Sequence, residues 1–156
     1  MKITMVGAGY VGLVSGACFA DFGHRVTCVD HDPLRISALE RGEMPIYEPG
    51  LDLLVAKNVK EGRLRFSTDL AEAARDAEAI FIAVGTPSRR GDGHADLSFV
   101  YAAAKEIAAF AHPEAIIVTK STVPVGTGDE VERIARAERP GVEFAVVSNP
   151  EFLREG

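Results

Sequence analysis

Short, nearly unbroken apolar runs alternate along this chain with longer segments in which apolar residues recur every three or four positions. The runs occupy residues 3–6, 26–29, 64–66, 79–84, 115–118 and 144–147. They are rich in β-branched residues and carry few polar ones, the pattern of strands covered on both faces, as in a parallel sheet. The segments between them read as helices. One spans residues 10–22 and stops at Gly23, a glycine placed just past the last turn. Another starts near Asp32-Pro33, with proline suited to the first helical turn, and a third follows Glu48-Pro49-Gly50 and carries Leu51, Leu54 and Val55. Asp69-Leu70-Ala71-Glu72 forms a capping-box pattern that opens a short helix to Ala77. Asp96 can cap a helix with Leu97, Val100, Ala104, Ile107 and Ala111 on one face, ended by Pro113. Thr127-Gly128-Asp129-Glu130 is a second capping box, followed by Val131, Ile134 and Ala135.

Strands alternating with helices make βαβ units, and right-handed crossovers wind such units into one sheet. The expectation is an α/β, Rossmann-type doubly wound parallel sheet of about six strands in the order 3-2-1-4-5-6. Residues 42–62 insert an extra helix between strands two and three.

Composition narrows the function classes. The 156 residues fit one domain with one substantial core. A formal net charge of −6 disfavours a general nucleic-acid or membrane-surface binder, which needs a basic face. It leaves anionic ligands open, because backbone amides at a helix start hold them without lysines. No apolar run approaches the roughly 18 residues of a membrane span, and no signal-peptide pattern precedes the first strand. Cys18 and Cys28 sit in apolar stretches and read as reduced core thiols of a cytoplasmic protein. No cysteine or histidine spacing points to a metal site; His24, His31, His94 and His112 are scattered in loops or element ends.

The first candidate for chemistry is Gly7-Ala8-Gly9-Tyr10-Val11-Gly12, a G-x-G-x-x-G string. A bare match is weak, but this one follows a strand, opens a helix, and belongs to a unit whose second strand ends in an acid. Gly7 permits the tight turn, Gly9 lacks the Cβ that would obstruct a diphosphate, and Gly12 lets the helix approach the strand closely. Asp30 lies 23 positions after Gly7, where a carboxylate accepts ribose hydroxyls and repels a 2′-phosphate. Together they point to NAD rather than NADP, although Asp30 also suits a helix N-cap before Pro33. Arg35 is close enough in sequence to reach the adenosine side, or to be a solvated helix residue.

In open α/β sheets, ligands bind beyond the carboxyl ends of the strands. Three polar, glycine- and proline-bearing loops fall there: Val84-Gly85-Thr86-Pro87, Lys120-Ser121-Thr122-Val123-Pro124 and Ser148-Asn149-Pro150-Glu151. Gly85 and Pro87 shape a loop passing the nicotinamide ribose, and Thr86 and Ser121 can hydrogen-bond it. Thr122 can hold a water or a substrate hydroxyl. Glu151 is either a general base at this edge or a surface acid at a helix start.

These strings converge on one family. Residues Gly7 to Gly12 with Leu13, Ser15-Gly16 and Asp30 resemble the start of the UDP-glucose/GDP-mannose dehydrogenase family. Pro45-Ile46-Tyr47-Glu48-Pro49-Gly50-Leu51, Gly85-Thr86-Pro87 with Asp92-Gly93 and Ala95-Asp96-Leu97, Lys120 to Thr127, and Asn149 to Gly156 resemble its further signatures. The resemblance implies a nucleotide-sugar substrate, UDP-glucose foremost, with GDP-mannose and UDP-N-acetylhexosamines as alternatives. It implies oxidation of the sugar C6 alcohol to a carboxylate by two NAD through a cysteine thioester. It places Gly7, Gly9, Tyr10, Val11, Gly12, Asp30, Arg35, Gly85, Thr86, Pro87, Ser121, Thr122 and Glu155 at the cofactor. It gives Thr122 and Glu151 catalytic roles, and Glu151, Phe152, Leu153, Arg154 and Glu155 contact with the sugar. Neither Cys18 nor Cys28 matches the family's nucleophile, which belongs to later domains. By the same resemblance, residues 1–156 are the NAD-binding domain alone. The central helix, the C-terminal substrate domain and the homodimer contact then lie elsewhere, and these residues by themselves turn over no sugar. A 3-hydroxyacid type dehydrogenase would not carry the Tyr47-Glu48-Pro49-Gly50 insert or the Asn149-Pro150-Glu151 ending. A non-catalytic NAD-binding module is the remaining alternative.

Overall fold

The computed structural model describes residues 1–89, 91 and 94–151. Along the chain these form β1 (Lys2–Val6), α1 (Tyr10–Asp21), β2 (Arg25–Val29), α2 (Pro33–Glu40), α3 (Leu51–Lys60) and β3 (Leu64–Ser67). There follow α4 (Leu70–Arg75), β4 (Ala79–Ile82), α5 (Ser98–Phe110), β5 (Ile116–Thr119), α6 (Thr127–Glu138) and β6 (Ala145–Ser148). The strands make one parallel sheet in the order β3-β2-β1-β4-β5-β6, as the alternation of runs and helices implies. The register is what builds a site. Ser67, Val29, Val6, Ile82, Thr119 and Ser148 lie side by side in one row across the sheet, so every strand ends at the same edge.

The two-residue period of a strand divides the core into two clusters, one per face. Ile3, Met5, Val26, Cys28 and Leu64 pack with Leu13 and Ala17 of α1 and Val55 of α3. Val6, Val29, Ile80, Ile82 and Ile117 pack with Val100 and Ile107 of α5 and Val131 of α6. Leu13 is fully buried, and burial of a side chain of that size is worth about 1.5–3 kcal/mol. The expectation of strands covered on both faces fails at β6. Ala145 and Val147 are exposed, because β6 is an edge strand; the buried residue of that run is Phe144, just before it.

Helix starts follow local chemistry. Asp69 accepts the Glu72 N–H at 2.8 Å, while Glu72 pairs with Arg65 at 3.5 Å rather than closing the box. Asp96 accepts the Ser98 N–H at 3.0 Å, so it ties the first turn of α5 from just outside it. The capping box expected at Thr127 is not formed. Gly126 is the N-cap, in a left-handed conformation (φ +89°) that glycine adopts without strain. The Thr127 hydroxyl donates back to the Pro124 carbonyl at 2.8 Å instead, and Glu130 accepts from Arg133 at 2.8 Å.

Candidate functional site

The turn between β1 and α1 is wedged under the sheet edge. The Gly7 N–H donates to the Val29 carbonyl at 2.7 Å, and its φ of +106° together with the Ala83 carbonyl, which would lie 2.6 Å from a Cβ, leaves only glycine acceptable. A Cβ at Gly12 would stand 1.8 Å from the Gly7 carbonyl oxygen, and one at Gly16 would stand 2.6 Å from Cys28 Sγ. These two glycines seat α1 directly on the turn and on β2. Burial pushes the Cys28 thiol up to about 12, so it is a packing group there and not a nucleophile. Gly9 differs from its neighbours: nothing lies within 4 Å of the position its Cβ would take. It caps α1 without a side-chain bond, and the first turn holds no acid. The positive end of the helix therefore faces open space, a site suited to an anion.

Asp30 is locked to this turn. Its Oδ2 accepts the Ala8 N–H at 2.9 Å and Arg35 Nη1 at 2.8 Å. Its Oδ1 accepts the Asp32 N–H at 3.0 Å, with His31 Nδ1 at 3.5 Å. The residue is 4% exposed. Burial works to raise its pKa, but the two backbone N–H bonds and the Arg35 guanidinium outweigh it and hold the carboxyl below the usual range. The cap of α2 is Asp32, whose Oδ1 accepts the Leu34 N–H at 2.9 Å. Asp32, not Asp30, is therefore the N-cap before Pro33, and the Asp30 carboxylate is bonded to the glycine turn instead.

A cleft of about 610 Å³ opens beyond these groups. Of the residues expected at a cofactor, Gly7, Gly9, Asp30, Arg35, Gly85 and Pro87 line it. Tyr10 and Val11 turn their side chains away. The Tyr10 hydroxyl donates to Glu48 Oε2 at 2.7 Å, and Val11 packs against the Leu13 cluster. What they offer the turn is main chain. The cleft is also lined by Phe99, Ala102, Ala103 and Glu106 of α5 and by Thr68 and Leu70, none of which carries a sequence motif for a ligand. The only sequence signal for these residues was Phe99, an aromatic off the apolar stripe of α5 and half exposed.

The three loops at the strand ends converge. Ser121 Oγ donates to the Val84 carbonyl at 2.7 Å, tying the β5 loop to the β4 loop, and its lone pairs remain as acceptors. Thr86 Oγ1 donates to the Thr122 carbonyl at 3.3 Å, and Thr122 Oγ1 donates to the Glu151 carbonyl at 3.0 Å. Lys120 Nζ meets Asn149 Oδ1 at 3.2 Å. Thr86, Ser121, Thr122 and Glu151 thus form one laced ledge next to the Gly85 and Pro87 end of the cleft. Phe152, Leu153, Arg154 and Glu155 lie outside the described residues. Among the described residues, no group of three His, Cys, Asp or Glu side chains is placed to hold a metal ion, and no helix is long and apolar enough to cross a membrane.

The donor set fits a dinucleotide: uncapped helix amides, free space over Gly9 and a buried ionised acid one step further along the sheet edge. Comparison with known proteins agrees. The family model described as UDP-glucose/GDP-mannose dehydrogenase family, NAD binding domain, matches residues 1–156. A UDP-glucose 6-dehydrogenase of Rhizobium meliloti (strain 1021) is 69% identical over 156 residues, which is all of this chain and 36% of that protein. A ternary complex of GDP-mannose dehydrogenase from Pseudomonas aeruginosa superimposes with a TM-score of 0.92 at 39% identity, covering 99% of this chain and 37% of that one. A UDP-glucose dehydrogenase from Pyrobaculum islandicum gives 0.92 at 44% identity, covering 99% and 36%. This chain therefore spans little more than a third of the length of these relatives. It belongs to the UDP-glucose/GDP-mannose dehydrogenase family, as that family's NAD-binding domain.

Proposed function

We propose that these residues are the cofactor domain of a cytoplasmic UDP-glucose 6-dehydrogenase, which converts UDP-glucose to UDP-glucuronate with two NAD through a thioester on a cysteine outside residues 1–156. The observation that carries the cofactor part is the bond between the Asp30 carboxylate and the Ala8 N–H of the glycine turn. It supports reading Asp30 as a ribose acceptor beside a diphosphate site, where its negative charge disfavours a 2′-phosphate. The 69% identity to a UDP-glucose 6-dehydrogenase favours the glucose nucleotide, while the fit to GDP-mannose dehydrogenase keeps GDP-mannose as the second reading.

Bound NAD supplies the hydride acceptor. The chain's own residues bind and orient. The amides at the start of α1 hold the diphosphate, and Asp30 holds the adenosine ribose with Arg35 against it. Gly85, Thr86 and Pro87 flank the nicotinamide ribose. Ser121, tied to the Val84 carbonyl, stiffens that flank and presents an acceptor. Thr122 positions water or the sugar hydroxyl, and Glu151 takes the proton that leaves the C6 oxygen. The residues that follow Glu151 contact the sugar, and the intact protein pairs as a homodimer. Each turnover consumes one water and two NAD and yields two NADH, because an alcohol carbon becomes a carboxylate.

Assay of the full-length gene product decides this. NADH formation with UDP-glucose at two per sugar, and much less with GDP-mannose or UDP-N-acetylmannosamine, is expected. NADH from GDP-mannose alone would move the assignment to the second reading. The isolated residues 1–156 are expected to bind NAD and to form no NADH with any of the three.

A further inference from the structure

The cleft continues past Asp30, away from the ledge formed by Thr86, Thr122 and Glu151. Its walls change character there. Val29, Leu70, Phe99, Ala102 and Ala103 line it, so this part of the cleft is apolar. One charged group stands at this end without an ion-pair partner among the described residues: Glu106, which is exposed and two turns along α5 from Phe99 on the same helical face. The other charged residues on the cleft, Asp30, His31 and Arg35, are engaged with one another. An apolar stretch of cleft that also presents an unpaired carboxylate is complementary to a planar heterocycle that carries an exocyclic amine.

We propose that Glu106 selects the adenine base of NAD by accepting a hydrogen bond from its exocyclic amine, with Leu70 and Phe99 among the apolar residues against which the base lies. This rests on the assignment of the cleft to NAD. The order of groups along the cleft supplies the placement. The diphosphate occupies the helix start, and Asp30 takes the ribose next to it. The base attached to that ribose then falls beyond Asp30, between β2 and α5. A carboxylate only accepts hydrogen bonds. It therefore favours an amine at that position of the base and repels a carbonyl, which adenine and hypoxanthine present respectively. Thr68 is also on the cleft, but a hydroxyl both donates and accepts and would not discriminate between them.

The test uses the full-length protein and two probes, NAD and nicotinamide hypoxanthine dinucleotide. Binding of each is measured to the wild type, Glu106→Ala and Glu106→Gln. The wild type is expected to prefer NAD by roughly tenfold or more, the scale of one charge-assisted hydrogen bond. Glu106→Ala is expected to bring the two affinities together. Glu106→Gln is expected to recover affinity for the hypoxanthine form, because its amide NH₂ donates to the base carbonyl. Thermal unfolding should be the same for all three proteins, since Glu106 is exposed and its side chain makes no hydrogen bond or ion pair among the described residues. A preference in Glu106→Ala equal to that of the wild type, or no preference in the wild type, overturns the adenine assignment while leaving NAD binding intact. A wild type that binds neither probe overturns the cofactor reading itself, and this proposal with it.

Discussion

Gly12→Ala and Gly9→Ala are expected to fail in opposite ways. At Gly12 the new methyl would sit 1.8 Å from the Gly7 carbonyl oxygen, whereas ordinary contact begins near 3.4 Å, so α1 or the turn must retreat by about 1.6 Å. Neither can swing aside, because the obstruction is main chain and Leu13 of the same helix is fully buried in the core. Overpacking in a core typically costs about 1–3 kcal/mol. A rigid backbone obstacle puts this case at the upper end, about 3 kcal/mol, which for a domain of this size lowers Tm by about 6–12 °C. At Gly9 nothing lies within 4 Å of the added atom, and φ of −77° is ordinary for alanine. Its stability is expected to change by less than about 0.5 kcal/mol. The methyl intrudes instead on the space left for the diphosphate, so NAD affinity should fall by about tenfold or more. Thermal unfolding and NAD titration of both variants test the pair. Wild-type NAD affinity in Gly9→Ala, or wild-type Tm in Gly12→Ala, would refute the division between a glycine kept for packing and one kept for the ligand.

Three further outcomes are expected. Thr119→Val should raise Tm by about 2–4 °C, because the Thr119 hydroxyl is buried without a hydrogen-bond partner among the described residues and an isosteric methyl removes about 1 kcal/mol of desolvation cost; a lower Tm would show that the hydroxyl has a partner. Cys28 should resist a thiol reagent at pH 8 in the native protein and react only on unfolding, since burial holds its thiol near 12; mass-spectrometric mapping of native labelling checks this. Asp30 has a depressed folded-state pKa, so its contribution to stability is present above its unfolded value of about 3.9 and is lost as pH falls through the folded value. The Tm gap between wild type and Asp30→Asn should therefore be widest near neutrality and close in strong acid, and a gap independent of pH would count against the ionised bond.

The strand order, the glycine turn and the converging loops were legible because each leaves a local mark. Unbroken β-branched runs mark strands, glycine spacing marks a backbone approached closely, and Gly-Thr-Pro or Asn-Pro strings mark turns at strand ends. Other features leave none. Phe99 and Glu106 belong to the face of α5 beside its apolar stripe, and a cleft-facing surface has the same polarity as a solvent-facing one. The bond from Tyr10 to Glu48 joins residues 38 apart in sequence, which no periodicity reports. Thr127 carried a capping pattern, but Gly126 in front of it took the cap through its left-handed backbone. The apolar residues of β6 matched buried strands, yet an edge position left Ala145 and Val147 in water.

Helix α1 is moored along its whole length: main chain presses on main chain at Gly12, Tyr10 reaches Glu48 in the insert, and Lys57 of α3 grips Asp21 at 2.7 Å. The amides that meet the diphosphate therefore belong to a scaffold already assembled before any ligand arrives, and little ordering entropy is left to be lost on association. Loosening the far side of that scaffold, by shortening residues 42–62 for example, would weaken the grip on the dinucleotide without touching an atom of its cradle.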